Sequence, residues 1–337
     1  MKLVIDAMGG DNAPVAPIGG AVRAVNELGI EVVLTGDEDT IKNELKKYTY
    51  DENRISILHT DEIITNEDEP VAAVKKKRNS SMVAAVKYLH DGQADAMLSM
   101  GNTGALLAAG LMIVGRIRGI KRPCLAALLP SAKGPVLLAD SGANTNCKPI
   151  CLVQFAMMGS LYMSDIRGVD NPEIGLLSNG AEKEKGDSLT KAAYPLIEKL
   201  PINFIGNIEG RDIMEGNAHV VVCDGFTGNV VLKTIEGMGA VVSRKVKEIF
   251  LKSIITKLGA LFVSGGLKDF KKTMDYREYG GAPLLGLRKT IIKGHGSSDV
   301  KAVFSAIVQA KKCVDEKITN KITMSLANVD MSGALAE

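Results

Sequence analysis

Two short stretches concentrate the residue types that handle an anion. Asp224-Gly225-Phe226-Thr227-Gly228-Asn229 follows the apolar run His219-Val220-Val221-Val222-Cys223 and precedes a helical pattern from Val231. Ser99-Met100-Gly101-Asn102-Thr103-Gly104 follows Ala96-Met97-Leu98 and leads into an apolar helix pattern reaching Ile113. In each, an apolar strand ends in a turn bearing glycine, a hydroxyl and an amide, and a helix follows. Such a turn offers backbone N–H groups and neutral donors to a phosphate-type ligand. Capping by Asn102 or Thr103 would use the same residues. The apolar helix behind Gly104 favours the ligand reading, because its N-terminus would be buried. No Cys or His pair stands near either turn, so a metal is not indicated.

Further loops carry related chemistry. In Asp6-Ala7-Met8-Gly9-Gly10-Asp11-Asn12-Ala13-Pro14, Gly9 and Gly10 permit close backbone approach to a ligand. Asp11 or Asn12 could equally cap the helix that follows. The loop is not G-x-G-x-x-G, so a dinucleotide fingerprint is absent. Lys185 lies in a loop after a strand, among acids, where most lysines are solvated. His295 sits between glycines in Lys293-Gly294-His295-Gly296-Ser297-Ser298, while His59, His90 and His219 are scattered. No G-x-S-x-G elbow occurs, which argues against serine-hydrolase chemistry. Lys75-Lys76-Lys77-Arg78 reads as a solvated helix face.

The elements that must position these loops alternate strand and helix. Strands are predicted at 3–5, 31–36, 55–58, 96–99, 125–130, 136–140, 173–177, 202–206 and 220–222. Helical spacing follows from Ile18 to Val25, Thr40 to Tyr48, Val71 to His90, Ile150 to Met163 and Ser188 to Leu200. Ser131-Ala132-Lys133-Gly134-Pro135 joins two strands as a hairpin. The pattern predicts an α/β fold with a doubly wound, mostly parallel sheet and its polar loops at the strands' C-terminal ends. No repeat or low-complexity linker divides the chain, so 1–337 is read as a single catalytic domain.

From Ile235 to Lys272 the pattern becomes helix upon helix, a protruding segment. Eight basic residues between Arg244 and Lys272 stand against Glu248 and Asp269, in a chain whose net charge is +2. Two readings fit 240–272: a helix pair buried in a dimer, or an interfacial helix on anionic lipid with Leu258, Leu261, Phe262 and Val263 inserted.

Composition removes several classes. A net charge of +2 and 4% aromatics, with no Trp, argue against a nucleic-acid binder. Five cysteines with no C-x-x-C indicate neither a disulfide framework nor a structural zinc site, and a reducing cytoplasm is expected. No consecutive apolar run is long enough to predict a spanning helix.

Six motifs carry a resemblance. Asp6-Ala7-Met8-Gly9-Gly10-Asp11, Ser99-Met100-Gly101-Asn102-Thr103-Gly104-Ala105, Asp140-Ser141-Gly142-Ala143-Asn144, Asp224-Gly225-Phe226-Thr227-Gly228-Asn229, Gly280-Gly281-Ala282-Pro283-Leu284-Leu285-Gly286 and Lys293-Gly294-His295-Gly296-Ser297-Ser298 resemble, in order, the signatures of the PlsX family. These are the bacterial acyl-[acyl carrier protein]:phosphate acyltransferases of phospholipid synthesis. The resemblance covers nearly the whole chain. It implies attack of inorganic phosphate on a long-chain acyl thioester, releasing acyl phosphate and free carrier protein.

It also implies a Rossmann-like three-layer α/β/α sandwich, no cofactor, a homodimer and peripheral association with the cytoplasmic membrane, near the glycerol-3-phosphate acyltransferase. Lys185 and Asn229 match the lysine and asparagine important for activity. Around Lys185 the chain departs from the family's L-L-N-I-G-E-E-x-x-K-G, but the Lys-Gly pair is kept. The motif positions implied to line the substrate site are Asp6, Gly9, Gly10 and Asp11; Ser99, Gly101, Asn102, Thr103 and Gly104; Asp140 and Asn144; Asp224, Gly225, Phe226, Thr227 and Gly228; and Gly294, His295 and Ser297. The readings from other classes are an isocitrate-type dehydrogenase of similar fold, which would need metal-binding acids and a nicotinamide site, and a non-catalytic lipid or carrier binder.

Overall fold

The computed structural model of the protein describes residues 1–266 and 279–328. The end of the basic segment, 267–272, and the side chains of Leu258 and Leu261 lie outside the described residues.

Among the described residues, eleven strands form one sheet: β1 Lys2–Asp6, β2 Glu31–Gly36, β3 Ile55–His59, β4 Ala96–Ser99, β5 Cys124–Leu129, β6 Val136–Ala139, β7 Glu173–Leu177, β8 Asn203–Ile208, β9 Val220–Val222, β10 Ala282–Leu285 and β11 Thr290–Lys293. Their order is β3-β2-β1-β4-β11-β10-β5-β6-β9-β7-β8. β4, β6 and β9 are buried throughout, which is why they read as unbroken apolar runs: both faces of the sheet are covered. The pleat sorts the residues. Leu3 and Ile5 join the core under Val15–Leu28, Pro149–Leu161 and Val300–Asp315, whereas Val4 joins the core under Ser81–His90 and Thr103–Ala109. This is the three-layer α/β/α sandwich.

Three features differ from the sequence-based reading. The helix expected over Val71–His90 is two, Pro70–Lys76 and Ser81–His90, broken where Lys77 adopts a non-helical conformation and Ser80 starts the second. β10 and β11 were not anticipated; β11 inserts beside β4, parallel to it, and β10 pairs antiparallel with both β11 and β5. With β5–β6 also antiparallel, the sheet reverses three times. The block β3-β2-β1-β4-β11 therefore runs opposite to β6-β9-β7-β8, and the C-terminal loops of the two blocks leave from opposite edges. The polar loops do not all share one edge.

Pro149–Ile166 is the helical stretch among the described residues that is long and apolar enough to cross a membrane, but 72% of it is buried as a core helix. Beyond the body, Gly225–Leu251 forms a 27-residue helix followed by Ile254–Phe262. Its first half packs over β5 and β6, and Val231, Leu232 and Ile235 cover a third apolar cluster around Leu138 and Val221. Met238, Val241, Ile249 and Leu251 are exposed farther along it.

Candidate active site

At the first edge, three loops far apart in sequence are laced together. Gly294 donates its N–H to Ser99 O, Asp11 N–H to Gly296 O, and Asn12 Nδ2 to Ser297 O and Ser298 O. The glycines are required by this closeness. A Cβ on Gly9 would stand 2.5 Å from the Asp6 carboxylate and 2.8 Å from Gly101 N. Gly10 has φ +99°, and a Cβ there would lie 3.0 Å from Gly296 O. Beneath them Asp6 accepts from Ser99 Oγ at 2.7 Å and from Met8 N–H. Burial pushes the Asp6 carboxyl above its usual range, against the hydrogen bonds from Ser81, Ser99 and Met8. Asp6 and Ser99 thus brace the loops from below.

The opposite edge has its own buried carboxylate. Asp140 accepts from the N–H groups of Leu125, Gly142, Ala143 and Asn144 and from Asn144 Nδ2. Asn144 Nδ2 also reaches Pro123 O. The helix Gly225–Leu251 docks on this knot. Gly225 donates to Asn144 O at 2.7 Å, and Gly228 comes so close to Asp140 that a Cβ would stand 1.9 Å from its carbonyl oxygen. Asp224 caps the helix, accepting from Phe226 and Thr227 N–H and from Thr227 Oγ1. Residues 225–229 are therefore the first turn of the helix, not a turn ahead of it. In the same way Asn102 is the N-cap of Thr103–Ala109, its Oδ1 accepting from Ala105 N–H.

The helix carries the second edge to the first. Asn229, Lys233 and Glu236 repeat at one-turn intervals along one face, a rise of about 10 Å. Lys233 Nζ donates to Glu236 at 2.8 Å, and His295 Nε2 lies 3.6 Å from Glu236 and 3.5 Å from Lys233. Burial acts to raise the Glu236 pKa, but hydrogen bonds from His295 and Lys233 outweigh it and the carboxyl ends below its usual value. Between helix, sheet and loops lies a cavity of about 720 Å³. Its polar wall includes Gly101, Ser141, Asn229, Lys293, Gly294 and His295; its apolar wall includes Leu107, Leu128, Leu232, Ile235 and Ala240.

Of the expected site residues, Asp11, Gly101, Thr103, Gly104, Asn229, Gly294, His295 and Ser297 line this cavity. Asp6, Gly9, Gly10, Ser99, Asn102, Asp140, Asn144, Asp224, Gly225, Thr227 and Gly228 stand behind the wall and hold it through the bonds and close approaches above. Phe226 is 64% exposed and outside the wall. Lys185 is exposed on the loop after β7 and also outside it; it shares an edge with Asp140 and Asp224, not with Ser99. Phe262 is 91% exposed and Val263 half exposed at the tip beyond the long helix.

The charged cavity residues Lys293, Lys233 and Glu236 are not among those the sequence marks. The last two share the helical face of Asn229, a spacing legible once the helix begins at Gly225. Lys293 opens the motif Lys293–Ser298, in which His295 is the more conspicuous residue type.

This architecture is shared with solved acyl-transfer enzymes. A phosphotransacetylase from Streptococcus pyogenes superposes with TM-score 0.60 at 16% identity, covering 94% of each chain. A branched-chain phosphotransacylase from Enterococcus faecalis V583 gives 0.57 at 16% identity, covering 93% of this chain and 99% of its own. At such identities the likeness establishes the fold. The sequence goes further. Residues 1–321 match the family described as fatty acid synthesis protein. The phosphate acyltransferase of Alkaliphilus oremlandii is 50% identical over 329 residues, 98% of both chains, and that of Thermoanaerobacterium thermosaccharolyticum 49% over 336 residues, 99% and 100%. The chain belongs to this phosphate acyltransferase family, and it is an acyltransferase.

Proposed function

We propose that the protein moves a long-chain acyl group from the thioester of an acyl carrier protein to inorganic phosphate, for phospholipid synthesis. One observation carries the reading: a single cavity joins a polar wall suited to phosphate to an apolar wall suited to an alkyl chain. Phosphate near neutral pH needs positioning more than activation. An oxygen of hydrogen phosphate attacks the thioester carbonyl, the C–S bond breaks, and the proton of the phosphate passes to the sulfur of the carrier. Asn229 donates to the phosphate or to the oxyanion. Lys185, from outside the wall, adds positive charge on the approach.

The test is phosphate-dependent release of free carrier protein from palmitoyl-carrier protein, followed by gel mobility. Release that does not depend on phosphate would overturn the reading. Asn229→Ala is expected to lower kcat about a hundredfold. Lys185→Ala should raise KM with a smaller effect on kcat, since an exposed charge acts weakly through water. Wild-type kinetics in either variant would remove that residue from the site.

We further propose a homodimer in the cytoplasm that rests on anionic lipid through the tip around Phe262 and Val263, delivering acyl phosphate to a membrane acyltransferase. Phe262→Glu is expected to reduce pelleting with phosphatidylglycerol vesicles severalfold while leaving transfer in solution intact. Pelleting equal to wild type would leave the tip to the dimer.

A further inference from the structure

Lys293 is the single lysine or arginine that is buried among the described residues, with 8% of its surface exposed. It ends β11 in the middle of the sheet, in register with Ser99 of β4. Its Nζ donates to Met100 O at 3.1 Å and to Gly294 O. An ammonium has three N–H donors, so one is left for a further acceptor. Asp6 and Asp11 act on it electrostatically without forming an ion pair. A buried ammonium bonded only to neutral carbonyls is an expensive arrangement unless an anion completes it. The cavity wall includes Lys293 and, from the same loops, Gly101, Gly294 and Gly296, where glycine lets backbone approach a ligand closely, with Asp11, Met100, His295 and Ser297 beside them.

We infer that Lys293 is the charged ligand of the phosphate nucleophile, holding it in the cradle formed by the Gly9–Asp11, Ser99–Gly104 and Lys293–Ser297 loops. The inference rests on the proposed acyl transfer for what the phosphate does, but not for its binding. The ammonium neutralises part of the phosphate charge as it meets the acyl carbonyl, in a site where low polarity strengthens the attraction. A thioester is neutral and gives such a cation little to bind. The remaining phosphate-bearing partner is the phosphopantetheine arm of the carrier protein, which offers the same chemistry. The experiment separates the two sources.

Binding of inorganic phosphate alone is measured by calorimetry, and steady-state rates are measured with each substrate varied. Lys293→Met is expected to abolish calorimetric phosphate binding and to raise the KM for phosphate roughly a hundredfold, with the KM for acyl-carrier protein little changed. An unchanged phosphate KM, or a rise confined to the acyl-carrier KM, overturns the inference and assigns Lys293 to the arm or to structure. Burial holds the Lys293 pKa down at about 8, so the wild-type KM for phosphate should rise above that pH, and the already raised KM of Lys293→Met should lack this alkaline rise. Asp6, Asp11, Lys233, Glu236 and His295 are the other titratable groups around it, and they are common to both proteins.

A second readout needs no variant. Saturating inorganic phosphate should protect Lys293 of the unaltered protein from a small amine-modifying reagent, scored by peptide mass. Modification at an undiminished rate overturns the inference. Phosphate binding through Lys293 without phosphate-dependent thiol release would instead overturn the proposed reaction and leave this site standing.

Discussion

Gly228→Ala should cost roughly 3 kcal/mol or more of folding stability, read as a lowered denaturation midpoint or as loss of soluble protein. The added methyl would stand 1.9 Å from Asp140 O and 3.0 Å from Cys223 Sγ. Neither neighbour can yield cheaply. Asp140 is fixed by its carboxylate, which gathers the N–H groups of Leu125 and of residues 142–144, and Cys223 lies at the end of buried β9. The helix Gly225–Leu251 would have to lift from the sheet, uncovering the apolar cluster under Leu232 and moving Asn229 away from Gly142, where an added Cβ would stand 3.1 Å from Asn229 Nδ2. The control is Gly237→Ala in the same helix, where nothing among the described residues lies within 4 Å of the added carbon. With no neighbour among the described residues, helix propensity decides, and stability should rise by about 1 kcal/mol. Equal effects at the two positions would refute a steric role for Gly228.

This pair shows what was legible in the sequence. The glycines of Asp224–Asn229 could be recognised as special, but not why. They were read as a turn for a ligand, whereas Gly225 and Gly228, three residues apart on one helical face, let two backbones touch. The strands were legible because β1, β4, β6 and β9 are apolar runs bounded by glycine or polar loops. β10 and β11 were not: Pro283 stands inside β10 and argues against a strand, and β11 has only Ile291 and Ile292 as apolar residues. Those two strands decide the site. β11 places Lys293–Ser297 beside Ser99–Gly104, almost two hundred residues earlier, and β10 begins the reversal that sends the two blocks' loops to opposite edges. Local pattern cannot report such pairings, nor that loops leaving opposite edges meet at one cavity only because the helix Gly225–Leu251 spans between them. The surroundings of the buried carboxylates are hidden from sequence for the same reason. Asp6 and Asp140 carry the signature of ligand residues in a loop, and only the donors folded around them show that their acceptor capacity is spent inside the protein.

Lys293 poses the converse case, a charge whose burial weakens the fold it sits in. Its pKa is lowered from 10.5 to about 8, chiefly by burial. Below pH 8 the group is protonated in both folded and unfolded chains, and the folded state bears the full cost of the buried charge. Between about 8 and 10.5 the unfolded chain holds a proton that the folded one has released, so stability from this group rises with pH. Above that range its contribution is constant. The displacement corresponds to about 3 kcal/mol across the window. At pH 7, Lys293→Met is therefore expected to be as stable as wild type or more stable by about 1 to 2 kcal/mol, the gain being trimmed by the hydrogen bonds lost at Met100 O and Gly294 O. Other lysines lose their ion pairs as pH rises, so the quantity to follow is the difference between the two proteins in urea unfolding at pH 7 and at pH 10. That difference should move in favour of wild type by most of the 3 kcal/mol. Parallel pH profiles would mean that Lys293 is solvated in the folded protein, and a lysine already in water has no need of an anion to complete it.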